Sequence, residues 1–288
     1  MSTVADRFLC LLLWALLFVG PTRAADDPLR YSVSLTSQFA SEGGTDLALG
    51  AGVATAQGYF LDGYAARSDT RAESEALDPR YWSATAGKRF GAWSLALGYS
   101  VYDDGLQVET QDFSARLGWL NNRGSVSLVL LKGATDESFE LVVANRTIPL
   151  TVSTDRTAVG ISGDFDVSRL VTLNAGVRRY DYDSPQSPLA DRPRLQLLLT
   201  NNLFGTQPGL VDLTWNAGVS ARLGRSSLSL DFARSRARDD GAESDDLFLS
   251  LALPVTTRLS LTVGGGQFSS SGYADINYAS AGIRVSGP

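Results

Sequence analysis

Residues 93–101 read Trp93-Ser94-Leu95-Ala96-Leu97-Gly98-Tyr99-Ser100-Val101. Odd positions are large and apolar, even positions small. A period of two belongs to a β-strand, because successive side chains of an extended backbone point to opposite faces. The alternation recurs at Phe113-Ala115-Leu117-Trp119, at Leu213-Trp215-Ala217-Val219-Ala221-Leu223 and at Leu247-Leu249-Leu251-Leu253, and more faintly at Tyr31–Leu35, Leu47–Val53, Thr157–Phe165, Leu259–Val263 and Ala279–Val285. No segment after Ala25 carries apolar residues at i, i+3, i+4 and i+7 over several turns, so long amphipathic helices are not expected.

The positions between the apolar ones decide what kind of β-protein this is. On a soluble sandwich that face meets water and is rich in Lys, Glu and Thr. Here it reads Ser94, Ala96, Gly98, Ser100, then Ser114, Arg116, Gly118, then Thr214, Asn216, Gly218, Ser220, Arg222. Strands of about nine to eleven residues, apolar on one side with aromatics at the ends and small or polar on the other, suit a wall with hydrocarbon outside and a polar lumen inside. The mean strand of a soluble sheet is only about five or six residues.

Short joints such as Phe90-Gly91-Ala92, Asn121–Gly124, Asp166–Arg169, Gly224–Ser226 and Pro254–Thr257 alternate with longer acidic ones at 68–78, 103–105, 133–155, 183–192 and 238–246. Short turns at one end and long loops at the other are the asymmetry of a membrane barrel. The expected fold is therefore all-β, a transmembrane antiparallel up-and-down β-barrel of about fourteen strands, at 29–40, 44–56, 57–69, 79–90, 92–104, 106–120, 124–134, 155–166, 169–182, 211–224, 226–237, 244–254, 257–269 and 275–286. Two apolar pieces are left over. Phe139–Val143 with Ile148–Val152 reads as a hairpin projecting from its loop, and Arg194–Phe204 as loop or wall. A strand pair from these makes sixteen, and loss of the faint second and third strands makes twelve.

The N-terminus reads as a targeting segment. Phe8–Val19 is an unbroken apolar run, too short to span a bilayer as a helix and followed by Gly20-Pro21-Thr22-Arg23-Ala24 with small residues at its last and third-last positions. The expected organisation is a signal peptide over 1–24 and a barrel over 25–288. Cleavage after Ala24 deletes Arg7, Arg23 and Asp6, which takes the net charge from −6 to −7. A net-acidic chain is a poor binder of nucleic acid. The chain contains no histidine, and its one cysteine, Cys10, lies in the apolar run. Ser-His and Cys-His nucleophile pairs, imidazole bases and His-ligated metals are thereby excluded.

On the signal peptide and on alternation across residues 29–286, the chain resembles the bacterial outer-membrane β-barrels in general, at porin-like size. Near the C-terminus, Ser280, Gly282 and Val285 fit the assembly signal of such barrels, but Gly287 stands where its terminal aromatic is expected. The resemblance implies residence in the outer membrane among its lipids and lipopolysaccharide. It further implies a porin-like passive channel for small polar or anionic solutes, without cofactor or catalytic chemistry, since the barrel enzymes of this class use a histidine this chain lacks. A second reading is a non-conducting barrel that anchors or completes an export or adhesion assembly with envelope protein partners. A third is a periplasmic all-β binding protein.

Projecting each strand with its apolar face outward puts Arg30, Arg89, Arg116, Arg222 and Arg284 on the lumen side of the short-turn half. A basic ring there attracts anions. Asp164 and Asp231 are the lumen acids available to pair with it, so the expected channel lining is the five arginines with Asp164. Arg234, Arg236 and Arg238 continue the lipid-facing stripe Leu228, Leu230, Phe232, as side chains that reach lipid phosphates or as loop charges beyond the membrane. Asp239, Asp240, Glu243, Asp245 and Asp246 lack the spacing of a calcium loop and read as a solvated acidic loop. Gly264-Gly265-Gly266, inside a strand, is expected to ease wall curvature.

Overall fold

The structure, a computed structural model, describes residues 29–41, 43–72, 75–77, 79–103, 108–143, 146–183, 211–237, 241–270 and 275–287. The segments 1–24 and 194–204, and Arg238, lie outside the described residues. The strands are β1 (Arg30–Ala40), β2 (Thr45–Ala54), β3 (Tyr59–Ala72), β4 (Glu75–Leu77), β5 (Arg80–Phe90), β6 (Trp93–Asp103), β7 (Val108–Asn121), β8 (Gly124–Val143), β9 (Arg146–Asp166), β10 (Val171–Tyr182), β11 (Val211–Leu223), β12 (Ser226–Ala237), β13 (Glu243–Pro254), β14 (Leu259–Ser270) and β15 (Ile276–Gly287). The three-residue β4 pairs only with the end of β3. Each of the others pairs antiparallel with its neighbours in the chain, and β1 pairs with β15. The wall is a closed antiparallel barrel of fourteen strands, so neither twelve nor sixteen stands. Closure removes every free edge.

The outward face follows the period of two. Leu35, Leu97, Leu117, Leu130, Ile161, Leu249 and Val263 are all exposed, an arrangement that only a hydrocarbon solvent favours. Aromatics mark both boundaries. Tyr31, Tyr59, Phe90, Trp93, Trp119 and Phe165 form a girdle near the short turns, and Phe39, Trp82, Tyr99, Phe113 and Trp215 one near the long loops. Within the second girdle the Tyr99 ring lies 4.6 Å from Phe113 and 5.2 Å from Trp82, centroid to centroid. Lys88, on the outward face beside the first, hydrogen-bonds the Tyr59 hydroxyl at 2.9 Å and lies 4.3 Å above its ring. Its charge is carried to the interface while its stem stays on apolar surface.

The short turns are built from residues that supply turn geometry locally. Gly91 and Gly224 adopt φ of 62° and 67°, a region that costs other residues strain. The Ser168 hydroxyl accepts from the amides of Leu170 and Val171 at 3.1 Å, and Thr256 does the same for Arg258 and Leu259.

At the long-loop end the structure departs from the sequence expectation. The expected loop at 133–155 is continuous strand, with β8 and β9 paired from Gly124↔Phe165 to Val143↔Arg146, while Phe139–Val143 and Ile148–Val152 form the projecting hairpin that the sequence suggests. The expected acidic loop gives way in the same manner, because β13 begins at Glu243 and takes in Asp245 and Asp246. At the C-terminus, Gly287 stands opposite Tyr31, and a Cβ on Gly287 would meet the Tyr31 ring. The Tyr31 ring of the first strand thus occupies the space beside Gly287 across the seam. Gly264 and Gly266 face the lumen, where Cβ atoms would meet the Phe248 and Tyr278 rings. These glycines make room for a stacked aromatic pair, centroids 5.8 Å apart.

Candidate functional site

The barrel lumen divides into two halves of different chemistry. Near the long loops it is packed: Tyr102, Phe268, Arg156 and Ser68 are each less than 2% exposed, and Tyr81, Tyr180, Tyr182, Tyr278 and Ile276 are buried. In this half large residues point inward as well as outward into the second girdle. One charge pair crosses it. Arg156 donates from Nε to Asp112 at 2.9 Å and from Nη2 to the second carboxylate oxygen at 2.5 Å, with both side chains buried. The two lie on β7 and β9, and the residue between them on β8 is Gly133, where a Cβ would strike the Asp112 carboxylate. Tyr182, whose hydroxyl donates to the Val211 carbonyl at 3.2 Å, also hydrogen-bonds Arg156. Asp246 accepts from the Tyr278 hydroxyl at 2.6 Å.

The short-turn half is the more open of the two by side-chain exposure. Arg30, Arg89, Arg116, Arg222 and Arg284 are on the inward face of their strands and all are exposed. None of the five is closed into an ion pair among the described residues. Asp164 and Asp231, inward as expected, have other partners: Asp164 accepts from the Ser125 hydroxyl at 2.5 Å and Asp231 from the Asn174 amide at 3.2 Å.

Strand alternation adds lumen charges that the sequence reading missed. Asp62 on β3 lies within electrostatic reach of Arg89 and Arg116. Arg178 on β10 donates to the Tyr180 hydroxyl at 3.2 Å, and Asp46, Asp112, Asp246 and Arg156 face inward near the long loops. The lumen as a whole is thus closer to charge balance than five arginines against two acids suggests. Its charge is instead segregated, with arginines predominating in the open half and aspartates in the packed one. β3 explains the miss. Its larger residues Phe60 and Tyr64 alternate inward with Asp62, whereas Gly63 and Ala65 face out, so hydropathy alone assigns the faces weakly.

On the outward face of β12, Arg234 forms a two-pronged pair with Asp245 at 2.6 and 2.7 Å and a further ion pair with Glu243 at 3.1 Å. Arg236 is paired with Asp212. These carboxylates, on β11 and β13, already engage the guanidinium groups that the sequence pointed toward lipid phosphate.

The fold finds counterparts among solved structures. OmpT of Vibrio cholerae, expressed in the outer membrane, superposes with a TM-score of 0.53 at 6% identity, over 91% of this chain and 97% of that one. A loop-deletion mutant of the same outer-membrane protein gives 0.50 at 8% identity, covering 91% and 99%. This chain has the fold of outer-membrane β-barrels. An anion-selective porin from Comamonas acidovorans is also similar, with a TM-score of 0.47 at 10% identity over 91% of this chain and all of that one. No family model and no curated protein matches the sequence.

Proposed function

We propose that the protein is a porin-like passive channel of the bacterial outer membrane that favours small anionic over cationic solutes and performs no covalent chemistry. The observation that carries this reading is the set of five exposed arginines in the open half of the lumen, none of them neutralised by an ion pair among the described residues. A solute passing a low-dielectric wall lined with one sign of charge is sorted by that sign. Only charges within roughly 8–10 Å of the ion path act at ordinary salt, so the overall net charge does not decide selectivity.

Reversal potentials in a planar bilayer test this. The unmodified protein is expected to give conductance steps with anion preference. Arg116→Ser with Arg222→Ser should shift the reversal potential toward cations, and Asp62→Asn, which removes the acid facing Arg89 and Arg116, should shift it the other way. Steps that ignore all three substitutions would discard these residues as the filter. The second reading, a non-conducting barrel that anchors or completes an envelope assembly with protein partners, draws support from the packed long-loop half of the lumen. A complete absence of steps selects it.

The same proposal places the short turns in the periplasm, the long loops outside among lipopolysaccharide, and the mature N-terminus at Ala25. N-terminal sequencing of the protein from outer-membrane fractions is expected to begin at Ala25. Recovery from the soluble periplasm with another start would count against both the cleavage site and the membrane placement.

A further inference from the structure

Once Arg234 and Arg236 are assigned to carboxylates, two cations remain conspicuous on the outward face at the long-loop end. Lys132 on β8 stands opposite Phe113 on one side and Thr157 on the other. Arg179 on β10 stands opposite Val159 and Leu213. They flank β9 at the level of the second aromatic girdle. Both are exposed, and neither has an ion-pair partner among the described residues.

A cavity of about 560 Å³ lies beside Arg179, with Leu130, Thr157, Val159, Asp181 and Asp212 among the residues that line it, and Lys132 stands at its margin, opposite Thr157. The chemistry of the cavity is graded along the membrane normal. Leu130 and Val159, each about half exposed, continue into the apolar band through Leu128 and Ile161. Arg179 comes next, and Asp181 stands one strand repeat further out. Asp212 is taken by Arg236.

We propose that Lys132 and Arg179 bind the phosphate of a membrane lipid whose acyl chain lies along Leu130 and Val159. The lipid commitment rests on this grading. A phosphate anchored at the top of a hydrocarbon layer meets the cations and the apolar wall together, whereas free phosphate gains nothing from leucine and valine. Guanidinium and ammonium donors supply charge-assisted hydrogen bonds, and their long stems reach the headgroup level. The inference rests on the membrane placement of the barrel and is independent of whether its lumen conducts.

The test uses the full chain folded in detergent and native mass spectrometry. The probes are a bis-phosphorylated hexa-acyl glucosamine disaccharide lipid and, separately, inorganic phosphate. The unmodified protein is expected to retain the lipid, and Lys132→Gln with Arg179→Gln to lower its affinity about tenfold or more, the loss of at least one charge-assisted contact. Arg225→Gln with Arg258→Gln, at the opposite rim, should leave it within about twofold, a change too small for such a contact. No lipid adduct on the unmodified protein, unchanged binding in the Lys132/Arg179 variant, or displacement of the lipid by equimolar inorganic phosphate would each overturn the proposal. Because these side chains are outside the wall, single-channel conductance and selectivity stay as in the unmodified protein, which separates this outcome from failure of the channel reading.

Discussion

Arg156→Met is expected to destabilise the barrel by about 3–5 kcal/mol, the cost of leaving one member of a buried ion pair without its partner. Asp112 has its carboxylate turned into the packed half of the lumen at 3% side-chain exposure, and both of its oxygens are engaged by the guanidinium fork. With Arg156 gone, the acid keeps its desolvation penalty and loses both donors. Asp112→Leu added to the same chain removes the stranded charge and should return most of the loss, since an apolar pair of similar volume often matches a buried ion pair. Gly133→Ala is a further check on the geometry, because its methyl group enters the space through which the fork reaches across β8. Urea unfolding in lipid vesicles, followed by tryptophan fluorescence, measures all of these. Single and double variants of equal stability would mean that the pair is solvated in the membrane.

Leu249→Arg is expected to cost about 2–4 kcal/mol, the penalty for arginine on the lipid face near the bilayer midplane, while Ser250→Arg is tolerated. The two positions are adjacent on β13 and face opposite ways. Leu249 stands between Leu230 and Gly265 on the exposed apolar side, and Ser250 between Ser229 and Gly264 on the lumen side. Folded barrel resists unfolding in detergent without heat, so the fraction of faster-migrating species in unheated gels, together with urea midpoints, reports the difference. Equal folding of the two variants, or a worse serine substitution, would reverse the faces assigned to this strand.

What was legible in the sequence follows from which solvent each face meets. Hydrocarbon tolerates no ionised or unsatisfied group, so outward positions such as Leu95, Leu97 and Leu117 carry an unambiguous pattern, and strand number and facing could be read from it. The lumen obeys no single rule. Asp62 was hidden because its neighbours Phe60 and Tyr64 share its inward face and break the expected alternation. Arg156 escaped notice because its partner stands two strands away across a glycine, a relation that exists only once the register of β7, β8 and β9 is fixed. Arg234 and Arg236 were placed on the correct face, but the acids that hold them, Asp245, Glu243 and Asp212, belong to neighbouring strands, and the acidic run looked like loop until β13 was seen to include it. Adjacent arginines show the same limit: Arg178 turns into the lumen and Arg179 to the membrane, so composition alone cannot divide them.

The seam between the first and last strands has a kinetic consequence. From Tyr31↔Gly287 to Ala40↔Tyr278, it joins positions roughly 250 residues apart, the costliest loop closure in the molecule and a contact of very high sequence separation. Every other wall pairing joins strands consecutive along the wall and can form progressively as the chain is delivered, but this one must wait for β15. Until then the nascent sheet presents two unpaired edges, each a template for the wrong strand. The ring of Tyr31 laid over Gly287 is therefore a latch on the final step: it rewards the correct register of the two ends only when the whole chain has arrived. Once it is shut, the wall has no free edge from which a strand can peel away alone.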